Sequence, residues 1–125
     1  MDLPRQPKTS TLIIEPNAVV ADDIHESVME HRADAVCHRC SSMAAGDAWV
    51  RGGGVCDVAL VSASELNRTG TATVDMLAEQ GVSLIIVGDH PDAAPTLPID
   101  TAYILRPFTS EMIRDVLDRV APRAD

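Results

Sequence analysis

Three short apolar runs, separated by helical and turn segments, constrain the fold most strongly. They are Leu12-Ile13-Ile14, Val58-Ala59-Leu60-Val61 and Leu84-Ile85-Ile86-Val87. A strand that is apolar at nearly every position is buried on both faces, which is typical of a parallel sheet covered by helices. We therefore predict five strands, over residues 11–15, 35–40, 56–62, 83–88 and 102–105.

Helical patterns lie between these strands. Asn17 is a candidate helix cap, and Val20, Ile24 and Val28 then recur at the four-residue spacing of one helix face. Further helices are predicted over residues 44–50 and 72–80, and a last one begins at Thr109 or Ser110. Strands that alternate with helices through right-handed crossovers form a doubly wound, five-stranded parallel sheet in a three-layer α/β sandwich.

The segment between the fourth and fifth predicted strands interrupts this alternation. Residues 89–100 contain Pro91, Pro95 and Pro98. Proline inside a helix removes a hydrogen bond and clashes with the preceding turn. We therefore expect a loop or at most one turn there, so that the helix before the fifth strand is short or missing.

Length, charge and hydropathy narrow the class of protein. A chain of 125 residues is expected to form one domain, here residues 11–121 with a flexible lead over 1–10 and a tail over 122–125. The formal net charge of -9 disfavours binding to nucleic acid and to anionic membranes. No apolar run approaches the roughly 20 residues that span a bilayer, and residues 1–10 lack the apolar core of a secretory signal. We therefore expect a cytoplasmic protein.

The run Cys37-His38-Arg39-Cys40 has the spacing of a redox or zinc motif. It lies in or just after a predicted strand, and positions 37 and 40 of a strand point to opposite faces. Cys56 alone does not supply the second ligand pair that a zinc site needs. We interpret the three cysteines as structural, with a metal or redox role as the alternative, and Trp49 as a packing residue more than a contact residue.

The strands and their order resemble a response-regulator receiver domain (CheY-like) from about Thr11 to Val120. The runs that carry the resemblance are residues 12–15, 56–62 and 84–87, and most specifically Tyr103-Ile104-Leu105-Arg106-Pro107-Phe108, which is close to the family's Tyr-Leu-x-Lys-Pro-Phe signature. The resemblance implies a flavodoxin-like sheet with its functional groups at the carboxyl ends of the strands. In that family two acidic residues and an acceptor aspartate hold Mg²⁺, the acceptor attacks phosphorus, and a hydroxyl and a lysine contact the phosphoryl group.

This chain departs from the family at each of those positions. Glu15-Pro16 stands where the resemblance implies two acidic residues, and Ser62 where it implies the acceptor aspartate. Gly88 replaces the hydroxyl residue, and Arg106 replaces the lysine. Asp57 lies roughly 16 Å from Ser62 along the strand, so it does not replace the acceptor. We therefore predict a degenerate pseudo-receiver with no catalytic residue, no cofactor and no metal.

Four polar residues are expected to converge at the strand ends: Glu15, Ser62, Asp89 and Arg106. One interpretation is a structural polar cluster, in which Arg106 pairs with Glu15 or Asp89, because a guanidinium suits bidentate pairing with a carboxylate. The other is a site for an anion or a small ligand anchored by Arg106.

The function that these expectations favour is a non-phosphorylatable, single-domain, receiver-like signalling protein. It would act through protein–protein contacts in a two-component-type pathway, with a histidine kinase or another regulator as partner, and a homodimer is left open. The alternatives are a phosphorelay receiver with an unconventional acceptor and a domain that binds a small ligand or anion. An enzyme is not expected, because the sequence offers no nucleophile–base pair and the fold alone does not imply one.

Overall fold

The part of the chain that the structure describes contains five strands and five helices, with two successive helices between the third and fourth strands. The computed structural model describes residues 10–88 and 101–120, without the side chain of residue 120. The strands are β1 (Ser10–Ile14), β2 (Val36–Cys40), β3 (Val58–Ser62), β4 (Ser83–Gly88) and β5 (Ala102–Leu105). The helices are α1 (Ala18–His31), α2 (Met43–Arg51), α3 (Ala63–Thr69), α4 (Ala72–Glu79) and α5 (Ser110–Val120).

The strands form one sheet in the order β2-β1-β3-β4-β5, and every neighbouring pair is parallel. The chain order reverses between β1 and β3, so the carboxyl ends of these two strands lie at the topological switch point of the sheet. The predicted five-stranded parallel sheet of an α/β fold is confirmed.

The two faces of the sheet bury separate apolar clusters. Successive side chains of a strand point to opposite faces. Leu12 and Ile14 therefore pack in the cluster under α2, α3 and α4, whereas Ile13 packs in the cluster under α1 and α5. Both clusters need apolar side chains from the same strands, which explains why those strands are apolar at nearly every position.

The starts of β1 and β3 differ from the prediction. Ser10, which the sequence predicts to lie in the flexible lead, opens β1, and β3 begins at Val58 and not at Cys56. Asp57 holds Ser10 in place at the start of the sheet. Its backbone N–H donates to the Ser10 carbonyl at 2.8 Å, and its carboxylate accepts the Ser10 N–H at 3.0 Å.

The helix α3 was not predicted. It is seven residues long, follows β3 directly and contributes Ala63 and Leu66 as its buried apolar residues. A segment this short, with so little apolar periodicity, gives a weak helical signal, and most helical stability in proteins comes from tertiary packing.

A buried carboxylate holds α3 against α2. Glu65 is 4% exposed, and its Oε1 accepts the Met43 backbone N–H, at the start of α2, at 2.8 Å. Arg68 donates from both Nε and Nη2 to the same carboxylate at 2.8–3.1 Å. The Met43 hydrogen bond, and after it Arg68, hold the pKa of Glu65 below its ordinary value against the opposing effect of burial.

Some predictions fall outside the described residues. These are the loop over residues 89–100, with its short or missing helix, and the outermost parts of the lead and the tail. In the described ranges, no helix has the length and hydropathy needed to cross a membrane.

Replacing Glu65 by glutamine is expected to lower the free energy of unfolding at neutral pH by about 1 kcal/mol. The amide keeps an acceptor for Met43 but loses the charge that Arg68 contacts. Because the folded-state pKa of Glu65 is lowered, the wild-type protein has this stability above the unfolded pKa and loses it as the pH falls through the folded pKa. Urea unfolding from neutral to acidic pH should therefore show the difference between the two proteins shrinking in acid.

The matched control is Glu79→Gln, which removes the same charge from an exposed position on α4. It should change the free energy of unfolding by less than about 0.5 kcal/mol. Equal losses in the two variants, or a loss in Glu65→Gln that does not depend on pH, would contradict the assignment.

Candidate functional site

An ion pair joins the residues that follow the first and last strands. Arg106 Nη2 donates to Glu15 Oε1 at 3.1 Å, and the Glu15 side chain is only 2% exposed. The other oxygen, Oε2, accepts the backbone N–H of Asn17 at 3.0 Å. Both oxygens of this buried carboxylate are therefore engaged within the chain.

The pair spans the edge of the sheet. β3 and β4 lie between β1 and β5, and three strand spacings amount to roughly 14 Å. Glu15 and Arg106 have side chains long enough to cover this distance together. The two strands between them end on the small residues Ser62 and Gly88, which leaves room above their ends.

The turn after β1 leads directly into α1. Asn17 Oδ1 accepts the N–H groups of Val19 at 2.9 Å and Val20 at 3.2 Å, and so caps the helix as predicted. Pro16, where the resemblance implies a second acidic residue, is exposed in this turn and carries no polar side chain.

Ser62 occupies the predicted acceptor position at the end of β3. It is 1% exposed, and its Oγ lies 2.8 Å from Ser64 Oγ. Among the described residues Ser62 bonds to Ser64 and not to Glu15 or Arg106. Of the four residues expected to converge, the structure thus pairs Glu15 with Arg106 and leaves Ser62 in a separate contact. Asp89 lies outside the described residues.

Gly88, at the end of β4, has no space for the hydroxyl side chain that the resemblance implies. A Cβ there would lie 2.5 Å from Ala63 Cβ and 2.9 Å from the Tyr103 hydroxyl oxygen. The Gly88 carbonyl accepts the Arg106 N–H at 2.9 Å, which fixes the backbone of Arg106 beside it. The volume next to Gly88 is therefore filled by neighbouring side chains.

The residues at this edge do not fit the Mg²⁺ ion that the receiver resemblance implies. Mg²⁺ requires near-octahedral oxygen ligands, usually with one or two carboxylates free to bind it. The Glu15 carboxylate already accepts two internal hydrogen bonds, and Ser62 is neutral and bonded to Ser64. Within residues 10–88 and 101–120, no three His, Cys, Asp or Glu side chains are grouped so that they could hold a metal ion.

The structure supports structural roles for the cysteines and for the tryptophan. Cys37 packs on the α1 and α5 side of the sheet, whereas Cys40 and Cys56 lie in the opposite cluster. Burial raises the pKa of all three thiols, and burial together with Asp57 raises that of Cys56 to about 11. Little thiolate is therefore available at neutral pH to act as a nucleophile. Trp49 packs on the core and stacks on His38 with ring centroids 4.5 Å apart.

An open cavity of about 470 Å³ beside Arg106 was not anticipated from the sequence. Its other lining residues come from α1 and from the segment between β5 and α5: Val20, Asp23, Pro107 and Phe108. These residues are far apart in the chain, and only the packing of α1 beside that segment places them together. Pro107 and Phe108 belong to the run that carries the receiver resemblance, but nothing in the sequence indicates a cavity beside them.

Comparison with solved structures identifies the fold. A response regulator receiver domain protein from Bacillus halodurans superposes with a TM-score of 0.76 and 18% identity, over 94% of this chain and 100% of that one. The described sheet has the strand order of such domains. This is the CheY-like receiver fold.

Other receiver structures give the same result. The chemotaxis response regulator CheY4 of Vibrio cholerae matches with a TM-score of 0.73 and 13% identity, over 91% of this chain and 99% of that one. SdrG from Sphingomonas melonis matches with a TM-score of 0.72 and 19% identity, over 92% of this chain and 98% of that one. No protein-family model and no curated protein sequence matches the chain. At these identities the likeness establishes the receiver fold, and the chemistry has to be argued from the side chains of this chain.

Introducing a side chain at Gly88 is expected to destabilise the protein. Gly88→Ala should lower the free energy of unfolding by about 1–3 kcal/mol, because its Cβ would overlap Ala63 and press on Tyr103. Urea unfolding of the wild-type protein, Gly88→Ala, Ala63→Gly and the double variant completes a cycle. In that cycle Ala63→Gly should recover part of the loss, so that the two effects are not additive. Additive effects, or a neutral Gly88→Ala, would contradict the contact.

Proposed function

We propose that this chain is a receiver-like signalling protein that does not accept a phosphoryl group and acts through protein–protein contacts. It works in the cytoplasm, in a two-component-type pathway, without catalytic activity of its own. Its partner is a histidine kinase or another regulator. The receiver fold supports the pathway, and the side chains at the strand ends support the loss of phosphoryl chemistry.

The observation that carries this proposal is the state of the Glu15 carboxylate. Arg106 and the Asn17 N–H engage both of its oxygens. A divalent ion would have to share this carboxylate with a guanidinium and a backbone N–H, and it would find a neutral serine and a proline at the neighbouring positions. The positive charge that a metal ion would place beside Glu15 is supplied by the Arg106 guanidinium.

Ser62 adds a second reason. Its hydroxyl is buried and bonded to Ser64, and a serine needs an adjacent general base to become a nucleophile. A phosphoserine formed there would be a stable ester, unlike the labile acyl phosphate of an aspartate. Because the acceptor position holds Ser62 and not an aspartate, reversible switching through an aspartyl phosphate is disfavoured.

Neither the wild-type protein nor Ser62→Asp is expected to gain a phosphoryl group. Both would be incubated with acetyl phosphate and Mg²⁺ and read by intact mass, with a phosphorylatable receiver domain treated in parallel. Ser62→Asp restores the acceptor, but Pro16 still stands in place of the second acidic residue that would hold the metal. Gly88 and Arg106 still stand in place of the hydroxyl and the lysine that would contact the phosphoryl group. Circular dichroism would establish that the variant is folded.

A phosphoryl adduct on the wild-type protein would overturn the proposal in favour of a phosphorelay receiver with an unconventional acceptor. Hydroxylamine would then distinguish an acyl phosphate, which it cleaves, from an ester, which it leaves intact. Loss of the adduct in Ser62→Ala would identify Ser62 as the modified residue. An adduct on Ser62→Asp alone would show that Glu15 and Arg106 are adequate substitutes for the usual residues.

A second candidate function is the binding of an anion at Arg106. The observation in its favour is that Arg106 Nε is buried and has no hydrogen-bond partner among the described residues, although the side chain as a whole is 32% exposed. Against it, Glu15 pairs with the guanidinium and Asp23 lines the adjoining cavity. Two carboxylates therefore lie near one guanidinium, and their combined charge opposes the binding of an anion.

Relative to chloride at equal ionic strength, inorganic phosphate is therefore expected to change the thermal unfolding midpoint only through its general stabilising effect as a kosmotropic anion. The comparison should give the same result for the wild-type protein and for Arg106→Gln. A midpoint that rises with phosphate in the wild-type protein only would establish the anion site and displace the proposal above.

A further inference from the structure

Two sulfur atoms meet between α1 and the edge strand β2. Cys37 Sγ donates to Met29 Sδ at 4.0 Å, and both side chains are half-buried on the α1 and α5 side of the sheet. A thiol is a weak hydrogen-bond donor and a thioether a weak acceptor. Metal–sulfur bonds of about 2.3 Å that meet at about 120° separate two sulfur atoms by roughly 4.0 Å. The two sulfur atoms are therefore spaced like two ligands of one three-coordinate ion.

The side of α1 that faces β2 carries a third side chain able to bind a metal. Asp22 of α1 pairs with Arg39 of β2 at 2.7 Å. Two turns further along α1, Met29 contacts Cys37. His25 lies three residues after Asp22 and four residues before Met29, and residues at these spacings share one side of a helix. The half-buried His25 imidazole is therefore on the side of α1 that faces β2, within reach of an ion held between the two sulfur atoms.

A buried hydroxyl lies opposite Cys37. Thr11 pairs with Cys37 in the parallel register of β1 and β2, so the two side chains project from the same face of the sheet. Thr11 is fully buried, and its Oγ1 has no hydrogen-bond partner among the described residues. A buried polar group without a partner costs free energy. A metal-bound thiolate at Cys37 would place an acceptor on the face from which this hydroxyl projects.

Cys37 differs from the other two cysteines. Cys40 and Cys56 are buried in the apolar cluster on the opposite face of the sheet, whereas Cys37 is half-buried. Burial raises the pKa of the Cys37 thiol, and the nearby Arg39 partly offsets that effect. Cys37 is therefore the thiol that an ion from solution reaches most easily.

The types of ligand determine which ion fits. A thiolate and a thioether are soft ligands that select Cu(I), and imidazole also suits copper. In the part of the chain that the structure describes, His25 and Cys37 have no third His, Cys, Asp or Glu side chain with which to hold a metal ion. Structural zinc sites take four such ligands. The set of Met29, Cys37 and His25 therefore fits a soft ion of low coordination number better than it fits zinc.

We propose that Met29, Cys37 and His25 bind Cu(I) between α1 and the edge of the sheet. The Cys37 thiol releases its proton to the solvent as the copper–sulfur bond forms, and the copper keeps its oxidation state. The Met29 thioether and an imidazole nitrogen of His25 each donate a lone pair to the ion. This inference goes beyond the proposed function and does not depend on it.

The test is a competition for Cu(I) between the full chain and the chromogenic chelator bicinchoninate. It is carried out without oxygen, with ascorbate as the reductant. The wild-type protein should remove one copper ion per chain from the chelator, read as loss of the chelator's visible absorbance. Cys37→Ala should abolish this transfer. Met29→Leu, which keeps the volume of the side chain, and His25→Gln should each weaken binding about tenfold, because each removes one ligand.

Each variant has a matched control that removes the same type of side chain elsewhere. Cys40→Ala removes a buried thiol, Met112→Leu a half-buried methionine in the same apolar cluster, and His31→Gln another half-buried imidazole of α1. These three variants should bind Cu(I) within about twofold of the wild-type protein. Circular dichroism would establish that all six variants are folded.

Several results would overturn the copper site. They are no transfer of copper to the wild-type protein, an equal loss in Cys40→Ala and Cys37→Ala, and unchanged binding in Met29→Leu or in His25→Gln. Unchanged binding in the last two variants would mean that copper attaches to an exposed thiol only. A dimer that forms on adding copper, measured by sedimentation, would also overturn it, because the ion would then bridge two chains.

The outcomes separate this inference from the proposed function. A phosphoryl adduct would overturn the proposed function whether or not the chain binds copper. Failure to bind copper, in a protein that gains no phosphoryl group, would overturn the copper site alone.

Discussion

A carboxylate buried at the end of a central strand has to be compensated, and the Glu15–Arg106 ion pair provides that compensation. Removing one partner of a buried pair leaves an uncompensated charge, which is strongly destabilising. Because the pair joins residues that follow β1 and β5, it also ties a central strand to an edge strand. The side chains between them have to be small, and Ser62 and Gly88 satisfy this condition. An aspartate in place of Ser62 would add a second carboxylate beside a pair that is already neutral.

The fold could be predicted from the sequence because its strongest signals are local. The apolar runs of β1, β3 and β4 and the Asn17 cap follow from strand burial and helix capping alone. The helix α3 could not be predicted in this way. It is stabilised by Glu65, which reaches Met43 across 22 positions of the chain, and a contact of that kind leaves no periodic pattern.

The site could be predicted only in part, for a similar reason. The types of residue at the strand ends can be read directly from the sequence, and so can their departure from what a receiver needs. The sequence leaves open whether Arg106 pairs with Glu15 or with Asp89, because both residues follow strands that end at the same edge of the sheet. That Gly88 is required sterically could not be foreseen, since its neighbours Ala63 and Tyr103 come from different elements. The cavity of about 470 Å³ likewise depends on how α1 packs beside the segment after β5.

Arg106 takes part in two features of this edge of the sheet, since it pairs with Glu15 and also lines that cavity. A ligand changes a conformational equilibrium only if it binds the two conformations with different affinity. Because the Glu15–Arg106 pair forms within the chain, it stabilises one arrangement of the strand ends without any ligand. A ligand would change that arrangement only by binding more tightly to a conformation in which the pair is broken.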